Sequence, residues 1–360
     1  MHPLSTLSTL SRIGDYVRRL LYLLLTFGVY LGGCVSHQTT PISTKPAAPD
    51  ASSARRPAPV FSYDRTKIPF ANKVLDEEET RNYVVRLIHF PSIGDNRQRR
   101  DQVSGKYYES KHPGKKPLII VLPIFGGHIF PPKTMTYYLR KTAEGDAHVF
   151  YMQGDQNLTD WWGLKHAPDQ ESFMELWEST AQAERNTIID IRRTIDWAQA
   201  RPEVDPDRIA VIGFSRGAIM AAVATANDRR LTATVLVMGG AHPHEALAAC
   251  PMLRGDGVQR KVQKEYGWTL DAFADRLAPL YYDLDPANYP NQVDPARILI
   301  VEATKDDCIP ADAREALWLA MGQPQRILIP HGHKMSFLSM TVLGRKWLQQ
   351  EIWSFLQETL

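Results

Sequence analysis

The feature that most constrains the fold is a series of short, continuous apolar runs separated by segments with helical periodicity. Strands covered on both faces of a parallel sheet read as such unbroken runs of Leu, Ile and Val. The predicted strands are Tyr83–Phe90, which alternates, and the runs Pro117–Pro123, His148–Met152, Arg208–Ile212, Thr232–Met238, Arg297–Val301 and Arg326–Ile329. Predicted helices are Thr180–Ala200, the segment after Ser215, Ala311–Met321 and Gly344–Thr359. Strands alternating with helices predict an α/β fold, a mostly parallel central sheet flanked by helices.

Two long insertions interrupt this alternation, at about 154–177 and 242–295. Both leave the carboxyl end of a predicted strand, the edge at which open α/β sheets bind ligands. Neither an internal repeat nor a second linker divides the rest. Residues 61–360 are therefore predicted to form one catalytic domain, with its site beside the insertions.

The first 33 residues have the organisation of a signal peptide. Three arginines between positions 12 and 19 precede an uncharged apolar stretch at 20–33, which is shorter than the ~20 residues that a membrane-spanning helix needs. The stretch ends in the letters LGGC, which resemble the lipobox of bacterial lipoproteins. This resemblance implies cleavage before Cys34 and lipidation of that cysteine. The alternative is an uncleaved anchor, or a buried apolar helix with an incidental cysteine.

Residues 34–60 consist largely of Ser, Thr, Pro and Ala. Such a segment buries too little apolar surface to offset the entropy of ordering it, so it is predicted to be a disordered tether. The expected product is an exported lipoprotein, anchored to a membrane on the periplasmic side. Val35 and Ser36, rather than an aspartate, follow the lipidation site, which resembles sorting to the outer membrane.

The composition excludes two kinds of partner. Lys and Arg number 42 against 40 Asp and Glu, a formal charge of +2, so the basic excess that nucleic-acid binding requires is missing. The cysteines are too few and too far apart for a zinc site. His242 and His244 have no carboxylate or cysteine partners at suitable spacing. We expect neither nucleic acid nor a bound metal.

The chemistry begins at the pentapeptide GFSRG, residues 213–217. It has the form G-x-S-x-G and lies directly between a predicted strand and an Ala-rich helix, the context of a nucleophile elbow. The glycines are needed because the serine occupies a strained turn where larger side chains would collide with the strand and helix. Ser215 is the candidate nucleophile. A strand-to-helix turn without catalysis is the alternative.

The motifs together resemble the α/β-hydrolase superfamily, nearest the group of dienelactone hydrolases, acetyl-xylan esterases and prolyl-oligopeptidase-like enzymes. The resemblance runs from about Val84 to Leu356 and rests on the segments PLIIVLPIFGG, VDPDRIAVIGFSRGA, DPANYP, KDDCIP and HGH. It implies the α/β-hydrolase fold with insertions at the carboxyl edge of the sheet. It also implies attack by a serine on an ester, thioester or amide, without a metal or organic cofactor.

In this superfamily the acid and the histidine follow later strands, in that order. The acid loop reads EATKDDCIP, with Ala303 where the family has glycine, and the register from its Ile-Pro end implies Asp306 rather than Asp307. The Gly-His pair after the last strand implies His333 as the base, with His331 as the alternative.

An oxyanion hole requires two backbone N–H donors. The resemblance implies the amide of Arg216, after the nucleophile, and that of Phe125 in the loop after an earlier strand, with Ile124 as the near alternative. Gly126 and Gly127 in that loop also fit a simple turn.

Three further features lie in or near the insertions. Ile124, Trp161 and Trp162 are candidates for lining the substrate pocket, although adjacent tryptophans more often pack a loop onto the body of a protein. Cys250 and Cys308 follow adjacent predicted strands at the same edge. We expect two separate buried thiols, with a disulfide beside the acid loop as the alternative.

The predicted function is hydrolysis of a small-molecule ester or thioester through an acyl-enzyme on Ser215. A serine peptidase of the prolyl-oligopeptidase type is the enzymatic alternative. A non-catalytic surface binding protein on a hydrolase scaffold is the alternative from a different class, because a fold does not fix a function. The natural substrate, its acyl chain length and the oligomeric state are left open.

Overall fold

The computed structural model describes residues 58–65, 73–92, 102–124, 132–153, 158–251, 257–341 and 346–360. The predicted signal peptide, the lipidation site Cys34, the tether as far as residue 57 and the predicted oxyanion donor Phe125 lie outside these ranges. Within them, no helix combines the length and the apolar character needed to cross a bilayer.

One mixed sheet organises the described residues. Its strands are β1 (Lys73–Glu79), β2 (Tyr83–Pro91), β3 (Gln102–Ser110), β4 (Lys116–Val121), β5 (His148–Gln153), β6 (Val204–Phe214), β7 (Leu231–Val237), β8 (Ile298–Ala303) and β9 (Gln325–Ile329). They lie in the order β1-β2-β3-β5-β4-β6-β7-β8-β9. The pairs from β5 through β9 are parallel, and β1, β2 and β3 form an antiparallel edge. The prediction of a mostly parallel central sheet is confirmed.

Helices cover both faces of this sheet. They are α1 (Pro132–Ala143), α2 (Trp161–His166), α3 (Gln170–Gln199), α4 (Arg216–Asn227), α5 (Pro243–Ala249), α6 (Val258–Lys264), α7 (Leu270–Leu277), α8 (Ala311–Ala320), α9 (His333–Thr341) and α10 (Lys346–Thr359). Successive residues of β4 point to opposite faces: Leu118 and Ile120 pack with α3 and α4, whereas Ile119 and Val121 pack with α1 and α10. Because both faces are covered, the inner strands are apolar throughout.

The structure differs from the sequence prediction in several elements. β1, β3 and α1 were not predicted. β1 has the sequence KVLDEEE and is exposed at the sheet edge, where charged residues are tolerated and apolar alternation is not required. Helix α3 begins at Gln170, ten residues before the predicted start, where the Asp169 carboxylate accepts a hydrogen bond from the N–H of Ser172 at 2.8 Å.

The two insertions are largely helical. The first contains α2 and the opening turns of α3, and the second contains α5, α6, α7 and three short 3₁₀ segments at 282–284, 286–288 and 295–297. Both follow carboxyl ends of parallel strands, as the sequence indicates, and both reach the cavity described below.

Candidate active site

Ser215 lies on a tight turn between β6 and α4. Its backbone has φ +50° and ψ −119°, a left-handed conformation that non-glycine residues adopt rarely and at a cost. Its N–H donates a hydrogen bond to the carbonyl of Val237 on the neighbouring strand at 2.8 Å. The turn is thereby fixed to the sheet, with Arg216 as the first residue of the following helix.

The flanking glycines are required by steric contact. A Cβ on Gly213 would collide with the carbonyl oxygen of Gly217, and a Cβ on Gly217 would collide with that of Pro123. The strand, the turn and the helix therefore pack at a distance that only glycine permits, which is the reason the sequence pattern suggested.

Ser215, His333 and Asp306 form one hydrogen-bonded series. His333 Nε2 is 3.0 Å from Ser215 Oγ, and His333 Nδ1 is 2.6 Å from Asp306 Oδ2. Ser215 is 7% exposed and His333 2%, and the Asp306 side chain is 0% exposed. Because the carboxylate at Nδ1 is an acceptor, Nδ1 carries the proton and Nε2 is left to accept from the hydroxyl.

The loop after β8 distinguishes Asp306 from its neighbour. Asp306 Oδ1 accepts hydrogen bonds from the N–H groups of Cys308 at 2.8 Å and Ile309 at 2.9 Å. Asp307 is exposed.

The loop after β9 likewise distinguishes the two histidines. His333 begins α9 and packs edge-on against Phe337, with ring centroids 5.0 Å apart, whereas His331 lies in the preceding turn.

Cys250 and Cys308 form a disulfide, so the expectation of two separate thiols is wrong. The physical reason is the pairing of β7 with β8, which brings the segments after these strands together. The Cα atoms of the two cysteines are 4.0 Å apart. The bond joins the end of α5, in the second insertion, to the loop that holds Asp306.

A cavity of about 460 Å³ opens beside Ser215 and His333. Its wall is largely apolar and includes Ile124, Trp161, Ile219, Leu247, Ile309 and Phe337. Trp162 lies outside this cavity: its side chain is 73% exposed and stacks on His166 with ring centroids 4.4 Å apart. Adjacent helical residues point about 100° apart, so only one of the two tryptophans faces the cavity.

Four polar residues of the site were not predicted to act together. Glu184 Oε1 accepts a hydrogen bond from the hydroxyl of Tyr281 at 3.1 Å and pairs with the guanidinium of Arg216. Arg216 also donates to the hydroxyl of Thr159 at 3.1 Å. We call Thr159, Glu184, Arg216 and Tyr281 the cavity cluster.

The sequence carries one signal for this cluster. In α3 apolar residues recur at positions 181, 188, 191, 195 and 198, at the spacing of one helix face. The same spacing calls for an apolar residue near position 184, where the chain has Glu184. A carboxylate in an apolar stripe indicates a buried partner. Tyr281 and Thr159 lie in the insertions, whose positions no periodicity fixes.

His242 and His244 are not grouped with metal-binding partners. His242 Nδ1 lies 3.0 Å from Asp285 Oδ2, and its backbone N–H donates to Asp285 Oδ1 at 3.0 Å. In the described part of the chain, no three His, Cys, Asp or Glu side chains are arranged to hold a metal ion.

Residues 103–254 match the model of the dienelactone hydrolase family. This segment is therefore similar to dienelactone hydrolases. It contains Ser215 and Arg216 and ends before Asp306 and His333, which the fold places beside it. The family assignment supports hydrolysis as the class of reaction.

Solved structures share the fold of this chain. An acetyl xylan esterase from Paenibacillus sp. R4 has a TM-score of 0.56 at 16% identity, covering 82% of this chain and 90% of its own. Acetyl xylan esterase 1 from Thermoanaerobacterium sp. JW/SL YS485 has a TM-score of 0.51 at 15% identity, covering 76% and 88%.

The acylaminoacyl peptidase of Pyrococcus horikoshii has a TM-score of 0.53 at 14% identity, covering 78% of this chain and 42% of its own. No curated protein matches the chain by sequence. At these identities the likenesses establish the α/β-hydrolase fold.

Proposed function

We propose that the protein is a serine hydrolase that cleaves carboxylic esters or thioesters through an acyl-enzyme on Ser215. The observation that carries this proposal is the buried hydrogen-bonded series from Ser215 to His333 to Asp306, which opens onto a cavity. A scaffold kept only for binding would not need these three groups in proton-transfer geometry.

In the proposed reaction His333 Nε2 accepts the hydroxyl proton as Ser215 Oγ attacks the carbonyl carbon. Asp306 holds the Nδ1–H tautomer and stabilises the imidazolium that forms. His333 then gives the proton to the leaving alcohol or thiol. A water molecule, deprotonated by the same nitrogen, attacks the acyl-enzyme and releases the acid.

The tetrahedral oxyanion needs two donors. The N–H of Arg216 is one, because Arg216 begins α4 and the first N–H groups of a helix point away from its body. For the second donor we propose the N–H of Phe125. The N–H of Ile124, a residue that borders the cavity, is the alternative. No metal or organic cofactor enters this mechanism.

The apolar side chains that line the cavity suit the acyl or alkyl group of an ester. Two of the similar structures are named as acetyl xylan esterases. A peptidase activity is the alternative, since one similar structure is an acylaminoacyl peptidase. We also propose that the enzyme is exported and anchored through Cys34, with the outer membrane favoured.

The test is turnover of p-nitrophenyl esters by the purified chain and its variants. We expect Ser215→Ala and His333→Ala each to lose several orders of magnitude in kcat. His331→Ala is the matched control, because it removes the other histidine of the same loop. Normal turnover in His333→Ala together with none in His331→Ala would reverse the assignment of the base. Cleavage of peptide amides in preference to every ester would replace the esterase by a peptidase.

A further inference from the structure

The proposed mechanism uses the backbone of Arg216 but gives no role to the side chains of the cavity cluster. Glu184, Arg216 and Tyr281 line the cavity, and each is at most 5% exposed. They come from distant parts of the chain: Glu184 from α3, Arg216 from the nucleophile turn, and Tyr281 from the second insertion. These three members of the cluster therefore lie in the wall of the cavity that borders Ser215.

The charge state of the cluster follows from its burial. Burial lowers the pKa of Arg216 to about 10, so its guanidinium is protonated at neutral pH. Burial raises the pKa of Tyr281 to about 12, so its phenol is neutral. With the carboxylate of Glu184 paired to Arg216, the cluster presents a cation and an anion side by side, without net charge.

Stability alone is a poor reason for such a pair. Removing two charges from water costs about as much as their attraction returns, and apolar replacements of similar volume are often neutral or stabilising. The surrounding wall is already apolar, with Ile219 and Leu247 among its residues. A polar cluster in an apolar ligand cavity is the usual means of orienting and selecting a ligand.

We propose that the cavity cluster is a subsite for a neutral hydroxyl group, carried by the otherwise apolar acyl or alcohol group of the substrate. A hydroxyl donates to a carboxylate and accepts from a guanidinium, so it uses both charges of the cluster at once. A substrate carboxylate would face the charge of Glu184, and an ammonium group that of Arg216. The inference rests on the proposed function and specifies its substrate class.

The volume of the cavity sets the size of this substrate. About 460 Å³ lies within the range of roughly 300–1,000 Å³ for pockets that take drug-sized ligands, which is more than an acetyl group fills. The expected substrate therefore extends beyond the scissile ester by a chain or ring long enough to bring its hydroxyl to the cluster.

The experiment measures kcat/KM for matched pairs of esters. One series contains p-nitrophenyl esters of pentanoic to octanoic acids and their ω-hydroxy counterparts. A second contains acetates of alkanols and monoacetates of the corresponding diols, so that the hydroxyl is tested on either side of the ester. At the chain length that gives the largest ratio of hydroxy to methyl-terminated ester, the ω-carboxy and ω-amino esters are measured as well. We expect the hydroxy ester to exceed its methyl-terminated partner by at least ~10-fold, and both charged esters to fall below it.

The variant Glu184→Gln tests the cluster itself. It leaves the shape of the side chain but gives the cluster a net positive charge. The ratio of kcat/KM for the hydroxy ester to that for the methyl-terminated ester should therefore fall. The kcat/KM of the ω-carboxy ester should rise relative to both. Glu178→Gln is the control, because Glu178 lies on the same helix and is exposed. If Glu184→Gln does not fold, Tyr281→Phe removes one hydroxyl from the cluster, with the exposed Tyr282→Phe as its control.

The outcomes separate the two proposals. Equal turnover of hydroxy and methyl esters at every length, on both sides of the ester, would overturn the subsite and leave the esterase intact. An unchanged hydroxy-to-methyl ratio in both cluster variants would also overturn it. If neither these esters nor the corresponding thioesters are hydrolysed, the proposed function fails, and the subsite fails with it.

Discussion

Two buried charged clusters lie at opposite ends of α4, each with residues from α3, and the two differ in what they contact. At the start of α4 the cavity cluster faces a cavity. Beyond the end of α4, roughly 17 Å away along the helix axis, Arg230 pairs with Asp196 at 2.5 Å and with Asp228 at 2.6 Å. We call Tyr63, Arg192, Asp196, Asp228 and Arg230 the clamp network.

The clamp network faces the chain itself. The hydroxyl of Tyr63 donates to Asp196 Oδ2 at 2.5 Å, and Arg192 donates to the carbonyl of Phe61. Nearby, the N–H of Ala58 donates to Asn227 Oδ1 at 2.9 Å. These bonds hold residues 58–63 against α3 and α4. The clamp network therefore stabilises the fold, whereas we propose that the cavity cluster binds the substrate.

The largest effect is expected at the catalytic end. Asp306→Asn should lower kcat by about 10⁴-fold, because an amide no longer fixes the productive tautomer of the histidine. The melting temperature should change little, since the side chain keeps its shape. Asp307→Asn, at an exposed neighbour, is the control and should retain activity. Lost activity in Asp307→Asn with normal turnover in Asp306→Asn would show that the acid was assigned to the wrong residue.

The opposite result is expected at the clamp network. Asp228→Asn removes one carboxylate from Arg230 and Arg192 and should cost about 3–5 kcal/mol of the free energy of unfolding. The kcat of the folded molecules should stay at the wild-type value. Urea unfolding and active-site titration measure the two quantities.

Arg297→Met is the control for this variant, because Arg297 and Asp294 form an exposed pair, worth at most about 1 kcal/mol. A loss of kcat in Asp228→Asn without loss of stability would contradict the distinction between the two clusters.

The disulfide should affect both stability and activity. Replacing Cys250 and Cys308 together by alanine removes a cross-link across 58 residues of sequence, at an expected cost of about 2–4 kcal/mol. The kcat should also fall, because the N–H of Cys308 donates to Asp306 Oδ1 at 2.8 Å. Lost stability with unchanged kcat would show that the disulfide does not position the acid.

The smallest effect concerns pH. Burial acts to raise the pKa of Asp228, but the hydrogen bond and charge of Arg230 and the charge of Arg192 outweigh it and leave that pKa below its ordinary value. The unfolded state therefore takes up a proton at higher pH than the folded state does. The stability contributed by Asp228 is present above the unfolded pKa, ~3.9, and is lost as the pH falls through the folded value.

The stability difference between the wild type and Asp228→Asn should accordingly shrink when unfolding is followed from pH 6 toward pH 3. A difference that stays constant over this range would contradict the assigned ion pairs.

The sequence predicts the parts of the molecule whose residues obey a strong local rule. The unbroken runs at β4 and β6 require burial on both faces, and the glycines at 213 and 217 permit only a close turn. The exposed strand β1 obeys no such rule, because an edge needs only backbone pairing. Strand β3 lies inside the sheet between β2 and β5, but its buried positions include Gly105 and Ser110, so its apolar alternation is weak.

The cavity is less predictable than the turn that borders it. Its wall combines both insertions with α3, and those contacts depend on tertiary packing. The disulfide illustrates this: both cysteines were known to follow adjacent strands, but only the packing of α5 against the acid loop brings their Cα atoms to 4.0 Å. The sequence marks Glu184 as a charged residue within an apolar stripe, whereas no sequence pattern indicates that Tyr281 lies beside it.

The most direct test of the account is covalent labelling of the full chain with a fluorophosphonate probe, followed by peptide mapping. We expect one phosphonylated residue, Ser215, with labelling strongly slowed in His333→Ala and absent in Ser215→Ala. Labelling at another serine, or equal labelling of Ser215→Ala and the wild type, would contradict it.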